Sequence, residues 1–415
     1  MSAELLVKID DAVVGRLWLD VKRHFCFQYD ESWLKQSRIP LSLSLPLRKD
    51  PYLDDESHSF FANLLPEEKI RVVIARNLGI SVHNDYGLLE KIGGDCAGAV
   101  SLYPQSDDVS REPGSYQQLT LAELNTIISE LPRRPLLAGK QGIRLSLAGA
   151  QKKLPVYYDG SFYHLGHGSA PSSHIIKPPM DDLDGTVENE AFCMALARSV
   201  GLQVPDSFIH QHDATRIFVV KRYDRVATGD GIRRLHQEDF CQALRLPPEF
   251  KYETEGGPSL AVCFSLIRRN SKNSGKDLMS LLNWVIFNYL IGNSDAHGKN
   301  ISLLLLPEGV VLAPFYDLIS TRIYAHYGVA SGLAMKIGGE GDPDGVRKRQ
   351  WELFAEEIGV KPHLVLTRLS AVSRKIEEVR LSLFKGTFAP HACDALYRLM
   401  QLIAEQTEKA VRMIL

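Results

Sequence analysis

Within the stretch "NSDAHGKN", a carboxylate, an imidazole, an ammonium and an amide (Asp295, His297, Lys299 and Asn300) follow an apolar run. Together they suit the handling of phosphate and a divalent metal. A carboxylate at 295 can orient a substrate hydroxyl and accept its proton. Asn300 can hold Mg²⁺ on a phosphate tail, and Asp317 in "LAPFYDLIS" offers the second metal oxygen. A turn at Pro307-Glu308-Gly309, ahead of strand-like "VVLAP", lets a hairpin bring Asp317 back beside Asn300. Taken alone, Asp-x-x-x-x-Asn also fits a polar helix terminus running into a turn.

Three upstream segments add the parts that phosphoryl transfer needs. Lys177 ends the apolar strand "HIIK", spaced like an ammonium that pairs α- and β-phosphates. Either Glu188 or Glu190, on the helix that follows, could hold it. The small residues Ala148, Gly149 and Ala150, followed by Gln151, Lys152 and Lys153, allow backbone N–H groups to approach a phosphate closely. "IFVVKRYDR" reads as a buried strand running into Lys221, Arg222 and Tyr223, a hinge where adenine can lie against backbone. Each segment has a plainer reading: an edge-strand lysine, a hairpin turn, a core strand. Their joint order is that of a two-lobed kinase.

Elements must position these residues. Residues 1–104 read as a small α/β unit, with "SFFANLLPEEKIRVVIARNLGI" as a helix stopped at Gly79. The polar, aperiodic stretch 105–118 is taken as a linker. Residues 119–235 form a strand-rich lobe. There, Thr120 and Glu123 make a capping box, residues 143–147 alternate as a strand, and Asp159-Gly160 turns a hairpin. The helix "VENEAFCMALARSVGL" in this lobe closes at Gly201. Residues 236–415 are mostly helical. The fold class expected is α+β, two-lobed, with an additional small N-terminal domain.

Composition is ordinary for a globular chain of 415 residues: 45% hydrophobic, 24% charged, net charge −2. Near-neutrality excludes recruitment of nucleic acid or anionic membrane by an overall field. Six scattered cysteines without a CxxC pair argue against a zinc cluster or a disulfide framework. With charges throughout the N-terminal segment and no apolar run of about 20 residues, a cytoplasmic protein without a membrane span is expected.

The chain resembles the HipA family, the serine/threonine-kinase toxins of HipBA toxin–antitoxin systems. The resemblance rests on "PLSLSLPLR", "FFANLLPE", "GDCAGAV", "RLSLAGAQKK", "HIIK", "NEAFCMALA", "KRYDR", "QEDFCQ", "GNSDAHGKN" and "PFYDLIS", in that order. It implies Asp295 as the catalytic aspartate, Asn300 and Asp317 as Mg²⁺ ligands, and Lys177 as the phosphate-binding lysine. It implies Ala148 to Lys153 as a mobile phosphate loop and Lys221 to Tyr223 as the adenine hinge. His297, Gly298, Lys299 and Asn300, with Tyr316 and Asp317, line the nucleotide site. Ser146 matches the serine that such kinases phosphorylate on themselves; alternation places it opposite Leu145 and Leu147, away from the core. The partners implied are ATP, a HipB-like helix-turn-helix antitoxin, operator DNA through that antitoxin, and a protein substrate, an aminoacyl-tRNA synthetase. A basic DNA-contacting surface is not carried over from "RKRQWELFAEEIGVKP". Two other readings stand beside this one: a pseudokinase co-repressor, and a small-molecule phosphotransferase of the aminoglycoside type.

Overall fold

The computed structural model describes residues 4–36, 39–105, 114–212, 215–229 and 231–414. The N-terminal domain is an antiparallel sheet of β1 (Leu5–Ile9), β2 (Ala12–Leu19), β3 (Phe25–Tyr29) and β4 (Val100–Pro104), ordered β3-β2-β1-β4. Four helices accompany it: α1 (Glu31–Gln36), α2 (Asp54–Ala62), α3 (Glu68–Leu78) and α4 (Asp85–Ile92). The single helix expected over 59–80 is therefore two, α2 and α3. Pro66 lacks an N–H and disfavours helical backbone at Leu65, so residues 63–67 break the run. Gly79 does close α3 in the left-handed region, at φ 65°.

The second sheet contains β5 (Ser115–Leu119), β6 (Leu154–Tyr158), β7 (Tyr163–His167), β8 (His174–Lys177), β9 (Ser207–His212) and β10 (Thr215–Lys221). Its order is β5-β7-β6-β8-β10-β9. β5 occupies the end of the stretch taken as a linker; its exposed polar residues pair with β7, which composition alone does not reveal. Residues 106–113 of that stretch lie outside the described residues. The capping box at Thr120 starts α5 (Leu121–Glu130), and α6 (Thr186–Ser199) packs on β9 and β10. Residues 143–147 are not a strand of this sheet. They make one parallel bridge, Asp95 to Leu145, so their alternation reflects burial against the N-terminal domain. A ribbon of β11 (Arg225–Thr228) and β12 (Gly231–Arg234) follows.

The helical lobe holds α7 (Phe240–Ala243), α8 (Leu260–Asn270), α9 (Ser274–Ile291), α10 (Lys348–Glu357), α11 (Pro362–Lys385) and α12 (Asp394–Ile414). It also holds a small sheet of β13 (Gln237–Asp239), β14 (Ser302–Leu306) and β15 (Gly309–Leu312). Residues 281–291 of α9 are buried except Asn283, as expected of a helix that is apolar on every face. Among the described residues no helix is long and apolar enough to cross a membrane. All six cysteines are free.

Two apolar cores result. One joins α6, α8, α9, α11 and α12 around Trp284, Trp351 and Phe192. The other runs from Phe27 and Phe60 of the N-terminal domain into Val156, Ile176 and Val219 of the second sheet. Polar contacts extend this docking. His236 bonds the Leu41 carbonyl, and Glu238 accepts the Leu43 N–H at 2.9 Å and contacts Ser42.

Burial pushes the Glu238 carboxyl from 4.5 up to about 8. The folded chain therefore keeps a proton that the unfolded chain loses between those values, and stability falls as pH rises through that window. Glu238→Gln should remove this slope. Its melting midpoint should overtake that of the wild type as pH approaches 8 and show no such gain below 4.5.

Candidate active site

α9 ends at Gly292, whose φ of 69° takes the left-handed conformation that glycine adopts without strain. The turn after it is tightly fixed. Asn293 bonds Asn288 at 2.7 Å and accepts the Asp295 N–H at 3.0 Å. The Asp295 carbonyl accepts the His297 N–H at 2.9 Å and Asn300 Nδ2 at 2.7 Å. The backbone of this turn is thus locked while the Asp295 side chain stays 47% exposed. Tyr252 donates its hydroxyl to Asp295 Oδ1, and His297 Nε2 lies 3.7 Å from the same oxygen. Burial lowers the His297 pKa, leaving the ring neutral, and its buried Nδ1 has no partner among the described residues.

The β14–β15 hairpin brings back Asp317, as its turn residues imply. Asp317 sits at φ 53°, a strained conformation for a residue with a side chain. Its Oδ1 lies 2.5 Å from Lys177 Nζ, and Lys177 is also 2.6 Å from Glu190 Oε1. Glu190 is therefore the lysine's partner; Glu188 pairs with Arg216 instead. The link between Lys177 on β8 and Asp317 crosses from the sheet-rich lobe to the helical one. Burial alone would lower the Lys177 pKa, but the two carboxylates raise it above the ordinary range, so the ammonium stays charged. Conversely, Lys177 and Lys153 outweigh burial and hold Asp317 ionised.

Among the described residues nothing donates to Asn300 Oδ1, and Asp317 Oδ2 makes no bond. One amide oxygen and one carboxylate suit Mg²⁺, which binds through few protein oxygens and completes its shell with phosphate and water. No cluster of three His, Cys, Asp or Glu residues competes for a metal among the described residues.

The other expected site residues divide. The Tyr223 and Tyr316 rings stack with centroids 5.7 Å apart, and Tyr316 donates to the Lys299 carbonyl at 2.6 Å. Lys153 bonds the Ala148 carbonyl and feels the charges of Asp317 and Lys177. Lys152 instead turns outward to Asp181, and Ala150 is exposed while Gln151 is half-buried. Gly149, at φ 100°, gives its N–H to Glu67 Oε1 at 3.2 Å.

Three expectations need correction. The Arg222 side chain faces away from the cleft into a buried network with Asp95 and Asp224. The backbone N–H groups of Lys221 and Arg222 are already bonded, to the Asp206 and Ser173 carbonyls. Lys299 does not reach toward nucleotide; its ammonium sits 3.1 Å from Asp239 and 2.5 Å from Asn63. Beside it Gly298 is closely packed: a Cβ there would lie 2.7 Å from Pro258. Ser146 is fully buried rather than facing solvent, its Oγ donating to the Leu64 carbonyl at 2.8 Å. Tyr252, Glu67 and Asp95 join the site without a local sequence signal. No periodicity marks them, although "FFANLLPE" and "GDCAGAV" contain two of the three.

A sheet-rich lobe, a helical lobe and a lysine–carboxylate link across their cleft define a protein-kinase-like fold, here carrying an additional N-terminal domain. Two family models match the chain: the HipA-like C-terminal domain over residues 145–380, and the HipA N-terminal domain over residues 5–103. The chain belongs to the HipA family.

It is 44% identical over 389 residues to "Putative kinase Y4mE" of Sinorhizobium fredii, covering 89% of this chain and 91% of that protein. It is 30% identical over 388 residues to the serine/threonine-protein kinase toxin HipA of Shewanella oneidensis, covering 90% and 88%. The solved complex of the Shewanella oneidensis MR-1 HipA, HipB and operator DNA matches with a TM-score of 0.82 at 28% identity. That match covers 99% of this chain and 96% of the solved one.

Proposed function

We propose that this protein is an ATP- and Mg²⁺-dependent serine/threonine protein kinase, acting as the toxin of a type II toxin–antitoxin system. The observation that carries this reading is Lys177, held between Glu190 and Asp317 at 2.6 and 2.5 Å, with the Asp317 carbonyl 3.5 Å from Asn293 Nδ2 in the turn that fixes Asp295 and Asn300. In this reading Asp295 orients the substrate hydroxyl and takes its proton. Tyr252 holds one carboxylate oxygen, leaving the other for the substrate. Lys177 neutralises charge on the nucleotide phosphates, and Tyr223 and Tyr316 flank the base side of the cleft. Asn300 and Asp317 would hold Mg²⁺, which when bound neutralises the β- and γ-phosphates. Positioning and charge compensation account for most of the catalysis in this reaction class.

The family and its relatives support the wider assignment. A HipB-like antitoxin would bind the protein and carry it to operator DNA, where the two co-repress their operon. The phosphorylated target would be a translation protein, an aminoacyl-tRNA synthetase, and its modification would arrest growth and produce persistence. These steps take place in the cytoplasm. Incubating the protein with γ-labelled ATP, Mg²⁺ and cell lysate tests the reading. Label on Ser146 and on a discrete protein band is expected. Label confined to small acceptors would favour the aminoglycoside-type reaction, and no transfer at all would leave a pseudokinase co-repressor.

Self-phosphorylation at Ser146 requires that residue to leave its buried place under the Leu64 carbonyl. A phosphate carrying about −1.5 to −2 charge cannot return beside a carbonyl oxygen, so the adjoining loop should stay displaced. Ser146→Asp is therefore expected to weaken ATP binding by about tenfold or more, a difference of roughly 1.4 kcal/mol. Ser146→Ala should keep ATP binding and lose self-labelling. Calorimetric titration with a non-hydrolysable ATP analogue reads the first, and autoradiography the second.

A further inference from the structure

We propose that Glu67 of the N-terminal domain is a positioning residue for the phosphate loop, so that docking of that domain sets how well the loop receives ATP. This rests on the reading of residues 148–153 as the phosphate loop. By sequence the loop leads into β6 and belongs to the sheet-rich lobe. The anchors of its backbone lie elsewhere. Gly149 gives its N–H to Glu67 Oε1 at 3.2 Å and accepts the Glu67 N–H at 3.4 Å. Just before it, Ser146 gives its hydroxyl to the Leu64 carbonyl at 2.8 Å and its N–H to the Asp95 carbonyl at 3.1 Å. Every one of these partners comes from the N-terminal domain.

The Glu67 carboxylate has two more contacts, and they lead to the catalytic turn. Lys251 Nζ is 2.8 Å from Oε2, and Lys299 Nζ is 3.5 Å from Oε1. Burial would raise its pKa, but the two ammonium groups bring it down to about 2, so it accepts the Gly149 N–H as an anion. Lys299 precedes Asn300. Lys251 precedes Tyr252, which bonds Asp295. One side chain therefore ties the centre of the loop to both segments that hold the candidate base and amide. The helix break at residues 63–67 leaves the Leu64 carbonyl and the Glu67 N–H without helical partners, so that Ser146 and Gly149 can take them.

The test is Glu67→Asp in the full chain. Aspartate keeps the negative charge between the lysines but falls one methylene short of Gly149. Without nucleotide, amide exchange over residues 146–153 should accelerate about tenfold, the equivalent of losing one charge-assisted hydrogen bond. Tryptic cleavage after Lys152 or Lys153 should quicken in step. KM for ATP should rise about fivefold to tenfold, a larger change than in kcat, because the loop binds phosphate and the Asp295 side chain is not replaced. Glu67→Gln restores reach without charge and should recover part of the protection. Unchanged exchange and cleavage in both variants, with melting midpoints like the wild type, would overturn the proposal. If the wild type transfers no phosphate, the kinase reading fails, and exchange and cleavage alone decide whether Glu67 holds the loop.

Discussion

Asp295→Asn should lower the rate of phosphoryl transfer by about 10²–10⁴-fold, the usual contribution of a positioned proton acceptor. The substitution isolates chemistry from structure because the surrounding bonds use the backbone. His297 N–H and Asn300 Nδ2 both donate to the Asp295 carbonyl oxygen, which an asparagine retains. Tyr252 can donate to the new amide oxygen as it does to Oδ1. What is lost is an anion able to take a proton from the substrate hydroxyl. The Lys177–Glu190–Asp317 link lies outside the change, so affinity for an ATP analogue should stay within about twofold of the wild type. Single-turnover transfer from labelled ATP measures the rate, and calorimetric titration measures affinity. A variant that transfers phosphate at the wild-type rate, or arrests growth as the wild type does, would remove Asp295 from the reaction.

Features set by neighbours in the chain were legible in the sequence, and features set by distant partners were not. Gly79, the Thr120–Glu123 box and the Asp159-Gly160 turn depend on backbone conformations that a few adjacent residues dictate. Lys177 at a strand end and Asp317 behind a hairpin follow the same logic, and the two meet because β8 and β15 each have a definite terminus. Ser146 fails for the opposite reason. Alternation marks two faces, but the sequence does not say that the N-terminal domain covers the second one. Lys299 sits in a segment whose pattern points to nucleotide, yet Asn63, 236 positions away, claims its ammonium. Arg222 is similar: "KRYDR" looks like a hinge, while its guanidinium bonds the Cys96 carbonyl from 126 positions away. The run over 59–80 divides for a local reason: Pro66 interrupts a segment whose apolar periodicity is otherwise helical.

Asp95→Ala should cost about 3–5 kcal/mol of stability, the range for stripping one partner from a buried ion pair. Asp95 is 4% exposed and faces three guanidinium groups: Arg225 at 2.7 Å, Arg222 at 3.3 Å and Arg234 at 3.7 Å. It also accepts the Ser172 hydroxyl at 2.7 Å. Burial would raise its pKa, but the arginines depress it below the ordinary 3.8. Its contribution is therefore full above 3.8 and fades only as pH falls through the depressed value, so neutral buffer shows the whole effect. After the substitution Asp224 alone must serve Arg222 and Arg225, and Arg234 loses its only carboxylate among the described residues. Two uncompensated positive charges would remain in a dry site. Urea titration should show a lower midpoint with an unchanged slope, since the surface exposed on unfolding is the same. Replacing Arg225 by Met in the same chain should restore part of the loss, because it removes one of the stranded charges. A fall of less than about 1 kcal/mol would mean that water reaches these arginines and that the network is an ordinary surface cluster. Asp95 also joins stability to the site: its carbonyl holds the Ser146 N–H while its carboxylate holds Arg222 at the end of β10. Loss of the carboxylate should thus loosen residues 219–223 and 146–153 together, and exchange in both segments should rise in the variant before global unfolding begins.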